Sequence, residues 1–175
     1  MGFSIYYRST KEVTSNQMRD IEAHATELNK SRTWLSCEPV SFRTVNGGDH
    51  LLGGSKPNLE PHPDDIASAA TEDLPDGTVN DLFDVLAQIS KEHSVDWEIS
   101  HDHSPEPIGF IINGVPDATL LDLASSFAGL NEAIADVMGD LGIASEFTQG
   151  AEPTPDSSER PNDDDPPPTL RLYTE

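Results

Sequence analysis

From its first residues the chain alternates: Phe3, Ile5 and Tyr7 stand at odd positions, with Ser4, Tyr6 and Arg8 between them. A period of two predicts a strand with one wet face. The spacing then lengthens. Met18, Ile21, Ala25 and Leu28 fall on one side of a 3.6-residue spiral, which predicts a helix. Its start is legible too: Thr14 is placed to cap it, Gln17 stands three residues on to close a capping box, and Val13 can staple against Met18. Residues 38–45 read as a second strand, with Val40 and Phe42 on one side. After that no period lasts. Glycine and proline crowd the stretch, and a long Gly/Pro-rich loop is expected at about 46–77, interrupted only by a short helix from Pro63 to about Thr71.

The pattern resumes at Thr78, with Asp81 at the third helical position and Val79, Leu82, Phe83, Leu86 and Ile89 forming a buried face. Val95, Trp97 and Ile99 then alternate with Asp96, Glu98 and Ser100, another strand with one wet side, and His101 and His103 continue the parity of its apolar positions. Ile108 to Ile112 is placed to close a hairpin with it. Asp117 caps a last helical region carrying Leu120, Leu123, Ala124 and Phe127; Gly129 predicts a break before Leu130, Ile134, Val137, Met138 and Leu141. The order β-α-β-loop-α-β-β-α points to an α+β domain with a mixed or mainly antiparallel sheet and helices packed on one face. That domain is expected to span residues 1–142. Residues 143–175 are acidic, proline-rich and poor in large apolar side chains, the composition of a disordered tail.

Charge sharpens this outline. The 175-residue chain carries a formal net charge of −22, divided unevenly. Residues 1–59 hold seven Lys and Arg against six Asp and Glu; the remainder holds three against twenty-six. Such a field repels phosphate backbones, so nucleic acid is an unfavourable partner, and a basic protein is the favourable one. No apolar run reaches the roughly 18 residues of a membrane span. Cys37 is the only cysteine and has no partner for an internal disulfide, which fits a reducing cytoplasm. Glu38 beside it disfavours the thiolate.

One short segment raises a question of chemistry. His62-Pro63-Asp64-Asp65 resembles the zinc signature of deacetylases of the LmbE and PIG-L type. The resemblance implies His62 and Asp65 as metal ligands, Asp64 as general base, and His101 or His103 as the third ligand to zinc or another divalent metal. It covers four residues: Ile66 stands where that family carries an acid, and sixty-one residues precede the motif. His101-Asp102-His103 offers a second chelating spacing, since strand positions i and i+2 share a face. The same segments also have a plain structural reading. Proline suits the first position of a helix, and Asp64 and Asp65 then meet the positive end of its dipole, each gaining about 0.3–1 kcal/mol. His101 and His103 lie where a strand leaves the core before a proline turn. The leading expectation is therefore a non-catalytic module without cofactor, binding a basic protein as inhibitory or immunity-type proteins do. Its central loop would offer His50 with an exposed Leu51-Leu52 pair. The alternative is a small metal-dependent hydrolase built on His62, Asp64, Asp65, His101 and His103.

Overall fold

The computed structural model describes residues 3–43, 49–69 and 71–140. Strands β1 (Ile5–Ser9), β2 (Phe42–Arg43), β3 (Leu52–Ser55), β4 (Trp97–His101), β5 (Ser104–Ile112) and β6 (Val115–Pro116) form one sheet in the order β2-β3-β1-β4-β5-β6. Every neighbouring pair is antiparallel. Among the described residues four helices accompany it: α1 (Ser15–Asn29), α2 (Pro63–Ala69), α3 (Val79–His93) and α4 (Ala118–Asp140). The α+β class and the antiparallel sheet agree with the sequence pattern; the segment 143–175 lies outside the described residues.

The core lies between one face of the sheet and the helices. On β1, Ile5, Tyr7 and Ser9 are buried while Tyr6 and Arg8 are exposed, the alternation expected of a strand covered on one side. Trp97 and Ile99 on β4 and Ile111 on β5 continue the buried face. Helix α3 is covered on more than one side, with Val79, Leu82, Phe83, Val85, Leu86, Ala87 and Ile89 all buried. Both α1 and α3 begin with the reciprocal caps expected of Thr14 with Gln17 and Thr78 with Asp81.

Five elements depart from the sequence pattern. Strand β5 begins at Ser104, inside the stretch read as a proline turn, and β6 has no counterpart in the pattern. Strand β3 lies inside the stretch read as a loop, next to β1 near the middle of the sheet. Glycine lowers strand propensity, but here it is a steric requirement. A Cβ on Gly53 would collide with the Tyr7 ring and the Ser41 carbonyl. The strand expected over residues 38–45 shrinks to β2, with residues 44 and 45 outside the described part. Side chains take over the role of a ladder there: the Tyr7 hydroxyl accepts from the Ser41 N–H at 2.8 Å, Ser55 Oγ donates to the Pro39 carbonyl, and Asn29 Nδ2 to the Val40 carbonyl. Helix α4 runs through Gly129 without a break. That glycine is exposed, and a Cβ there would meet nothing within 4 Å, so it costs the helix propensity alone.

Asp117 joins α4 to the sheet. Its Oδ1 accepts the Leu120 N–H at 3.1 Å as a helix cap, and its Oδ2 accepts the Phe110 N–H of β5 at 2.8 Å. Asp117→Ala removes both acceptors. The expected loss of stability is about 1–2 kcal/mol, read as a lowered urea midpoint with unchanged slope.

Candidate functional site: the uncovered face of the sheet

Among the described residues no helix packs on the other face of the sheet. Pairing aligns one row across five strands, from Arg43 through Leu52, Arg8 and Glu98 to Phe110. A second row sets Gly54 beside Tyr6 and Tyr6 beside Ser100. At the β5–β6 edge Ile112 faces Val115. Chemistry divides this face in two.

At the β5–β6 end, Phe110, Ile112 and Val115 are 38%, 52% and 67% exposed, whereas Ile111 between them is fully buried. The hairpin must point this way. A Cβ at Gly109 would meet Asp117 Oδ1 and Leu120 Cγ at 2.7 Å each, so the Gly109–Ile111 side lies against α4 and the Phe110–Ile112 side is left in water. The hairpin tip is fixed as well. Gly114 adopts a positive φ of 79°, its N–H donates to the buried Ser90 Oγ, and a Cβ there would press on the Ala87 carbonyl.

At the other end Ser4, Tyr6, Arg43, Leu52, Gly54 and Lys56 line an open groove of about 410 Å³. The Tyr6 ring lies over Gly54, whose missing side chain leaves the groove its depth. Arg43 and Lys56 in the groove, with Arg8 beside it, outnumber the one carboxylate lining it, Glu38, and make this the more cationic end of the face. The helices are the reverse: their charged residues are Asp or Glu apart from Arg19 and Lys91.

The residues singled out for metal chemistry occupy ordinary structural positions. Helix α2 starts at Pro63, the His62 carbonyl accepts the Asp65 and Ile66 N–H groups, and His62 Nδ1 accepts the Asp64 N–H at 3.3 Å. Asp64 and Asp65 fill the first turn, where the dipole favours them. His101 ends β4, but His103 lies in the two-residue turn before β5 and not on the strand. The His103 N–H donates to His101 Nδ1 at 2.9 Å, and both rings rest near Phe3, at 5.2 and 6.0 Å between centroids. Among the described residues no group of three or more His, Cys, Asp or Glu side chains could hold a metal ion. The signature from His62 to Asp65 and the pair His101 and His103 are not brought together in any such group among the described residues.

The expected Leu51-Leu52 contact pair is corrected. Leu51 is fully buried, with its N–H on Ser9 Oγ and its carbonyl accepting the Ser9 N–H, and only Leu52 reaches the open face. Cys37 is 1% exposed, and burial first, then the charges of Glu38, Asp76 and Asp81, push its thiol up to about 12. Asp81 behaves oppositely. Burial works to raise it, but hydrogen bonds from Thr78 and the Arg32 guanidinium at 2.6 Å outweigh that and hold it below the usual range. Asp84 is raised by burial and by the neighbouring Asp81 charge.

Sequence pattern overlooked two features. Ile108-Gly109-Phe110-Ile111-Ile112 is apolar at nearly every position, so it names a strand without saying which side stays wet. His24 on α1 meets His93 on α3, residues sixty-nine apart in sequence, with His24 Nδ1 3.1 Å from His93 Nε2. No local signal links them. No helix among the described residues is long and apolar enough to cross a membrane. Comparison with protein-family models, with curated proteins and with solved structures finds no match in any of the three.

Proposed function

We propose that the chain is a non-catalytic protein-binding module that receives a basic protein on the β5–β6 end of its uncovered sheet face. One observation carries this reading: three large apolar side chains on one face of one hairpin, Phe110, Ile112 and Val115, are held in water by a backbone that cannot turn them inward. A contiguous apolar patch rimmed by polar groups is the usual form of a protein contact. The net charge of −22 chooses the partner's sign and speeds encounter. Arg8, Arg43 and Lys56 at the far end repel a basic surface and so set the register, keeping the partner over β4 to β6.

The test is a photo-crosslinking residue at position 112 of the full chain. The expected product joins a protein of high pI, and its yield falls as salt rises. Ile112→Asp should weaken the captured complex at least tenfold, a loss of about 1.4 kcal/mol, with the fold unchanged because the side chain is already in water. An acidic partner, a yield indifferent to salt, or full affinity in Ile112→Asp would overturn the reading.

A further inference from the structure

We infer that His24 and His93 form a two-imidazole site for a nitrogen-preferring first-row divalent cation, with Cu2+ held most tightly. The two rings come from different helices and meet nitrogen to nitrogen, His24 Nδ1 to His93 Nε2, at 3.1 Å. Bonds of about 2.0–2.1 Å to one ion place neighbouring imidazole nitrogens roughly 3 Å apart. With ring centroids 5.3 Å apart the two nitrogens now point almost straight at each other, so each ring turns by roughly 40° for both to enter one coordination sphere. The helices that carry them are fixed by the core. Ile21 and Ala25 flank His24 on α1 and are buried, and Ile89 lies buried one turn before His93 on α3.

A third group completes the arrangement without touching the ion. Glu92 Oε2 lies 3.5 Å from His24 Nε2, the ring nitrogen facing away from His93. That approach is an ion-pair distance and not a hydrogen bond in this structure; a carboxylate on that side favours the N–H on Nε2 and leaves the Nδ1 lone pair for the ion, and it takes the orienting role of such partners when the ring turns toward the metal. His93 must then present its Nε2 lone pair to the ion and carry its proton on Nδ1. The His24 side chain is 21% exposed, so the remaining coordination positions open to water. Imidazole ligands suit copper, nickel and zinc, and Cu2+ stands highest in the affinity order of these ions.

The test uses the full chain without a histidine tag, titrated with Cu2+ and followed by visible absorption and by nitrogen hyperfine splitting in electron paramagnetic resonance. One Cu2+ with two imidazole nitrogens is expected per chain. His93→Gln keeps a hydrogen-bonding side chain beside His24 but removes a ligand, and should weaken binding roughly tenfold or more, as should His24→Asn; Glu92→Gln should weaken it about tenfold through the orienting carboxylate. His62→Ala and the double change His101→Ala with His103→Ala should leave affinity unaltered. Equal Cu2+ affinity in wild type and His93→Gln, or loss of the signal in the His101/His103 variant, would overturn the assignment.

Discussion

Trp97→Ala is expected to cost about 3–5 kcal/mol, the range for truncating a large buried aromatic, out of the 5–15 kcal/mol that holds an ordinary domain together. Trp97 is fully buried and joins every layer of the fold. Its ring stacks on Phe42 at 5.4 Å and 18°, meets the edge of Tyr7 at 6.4 Å, and sends its Nε1–H to the Leu86 carbonyl of α3 at 2.9 Å. On the sheet it is paired with Ser9 on one side and Ile111 on the other. Removing it opens a cavity between β1, β2, β4 and α3 and leaves the two-residue strand β2 without the ring it leans on. Trp97→Phe separates the contributions. It restores most of the apolar volume but not the indole N–H, and should recover more than half of the loss. Urea unfolding followed by far-ultraviolet circular dichroism measures both variants. A Trp97→Ala loss below 1 kcal/mol would mean the ring does not bridge sheet and helix as described.

Elements whose instructions are local are legible in the sequence. The capping boxes at Thr14 and Thr78, the Asp117 cap, the strand alternation of Val95 to Ile99 and the helix start at Pro63 depend on residues within one turn of each other, and each stands where the pattern puts it. Features set by distant neighbours are not. Gly53 reads as a loop residue until Tyr7, forty-six positions away, is known to lie against it. The β4–β5 register shifts between Ile99 and His101, a feature of strand pairing that no local spacing announces. The candidate interface was half legible. A strand at 108–112 was expected, yet the exposure of Phe110 and Ile112 is decided by the helix packed on the opposite side. HPDD is read in two ways because four residues do not distinguish a ligand set from a helix start; the helix start is present, with the His62 carbonyl receiving two amide protons.

Cys37 gives the second large effect, and it is one of pH. Its thiol is raised from 9.0 to about 12 in the folded chain, chiefly by burial. Below pH 9 folded and unfolded chains both hold the proton, and the stabilisation is fully present. Above pH 9 the unfolded chain ionises while the folded one does not, so the unfolded state binds fewer protons and stability falls as pH rises toward 12. At about 1.4 kcal/mol per pH unit, roughly 2–3 kcal/mol is lost by pH 11. Tyr7 adds to the same limb above pH 10. Burial raises its hydroxyl too, against the opposing hydrogen bonds of Ser55 and Ser41. The two groups separate by substitution. In Cys37→Ala the urea midpoint should stay level from pH 9 to pH 10 and fall only beyond, whereas the wild type should begin to fall at pH 9. The native thiol should also resist alkylation at pH 8, where an unfolded one reacts, because almost none of it is thiolate and the sulfur is out of reach of solvent. Parallel midpoint curves for wild type and Cys37→Ala between pH 9 and pH 11 would place the thiol in water and contradict the packing of residues 36–38 against 56–58.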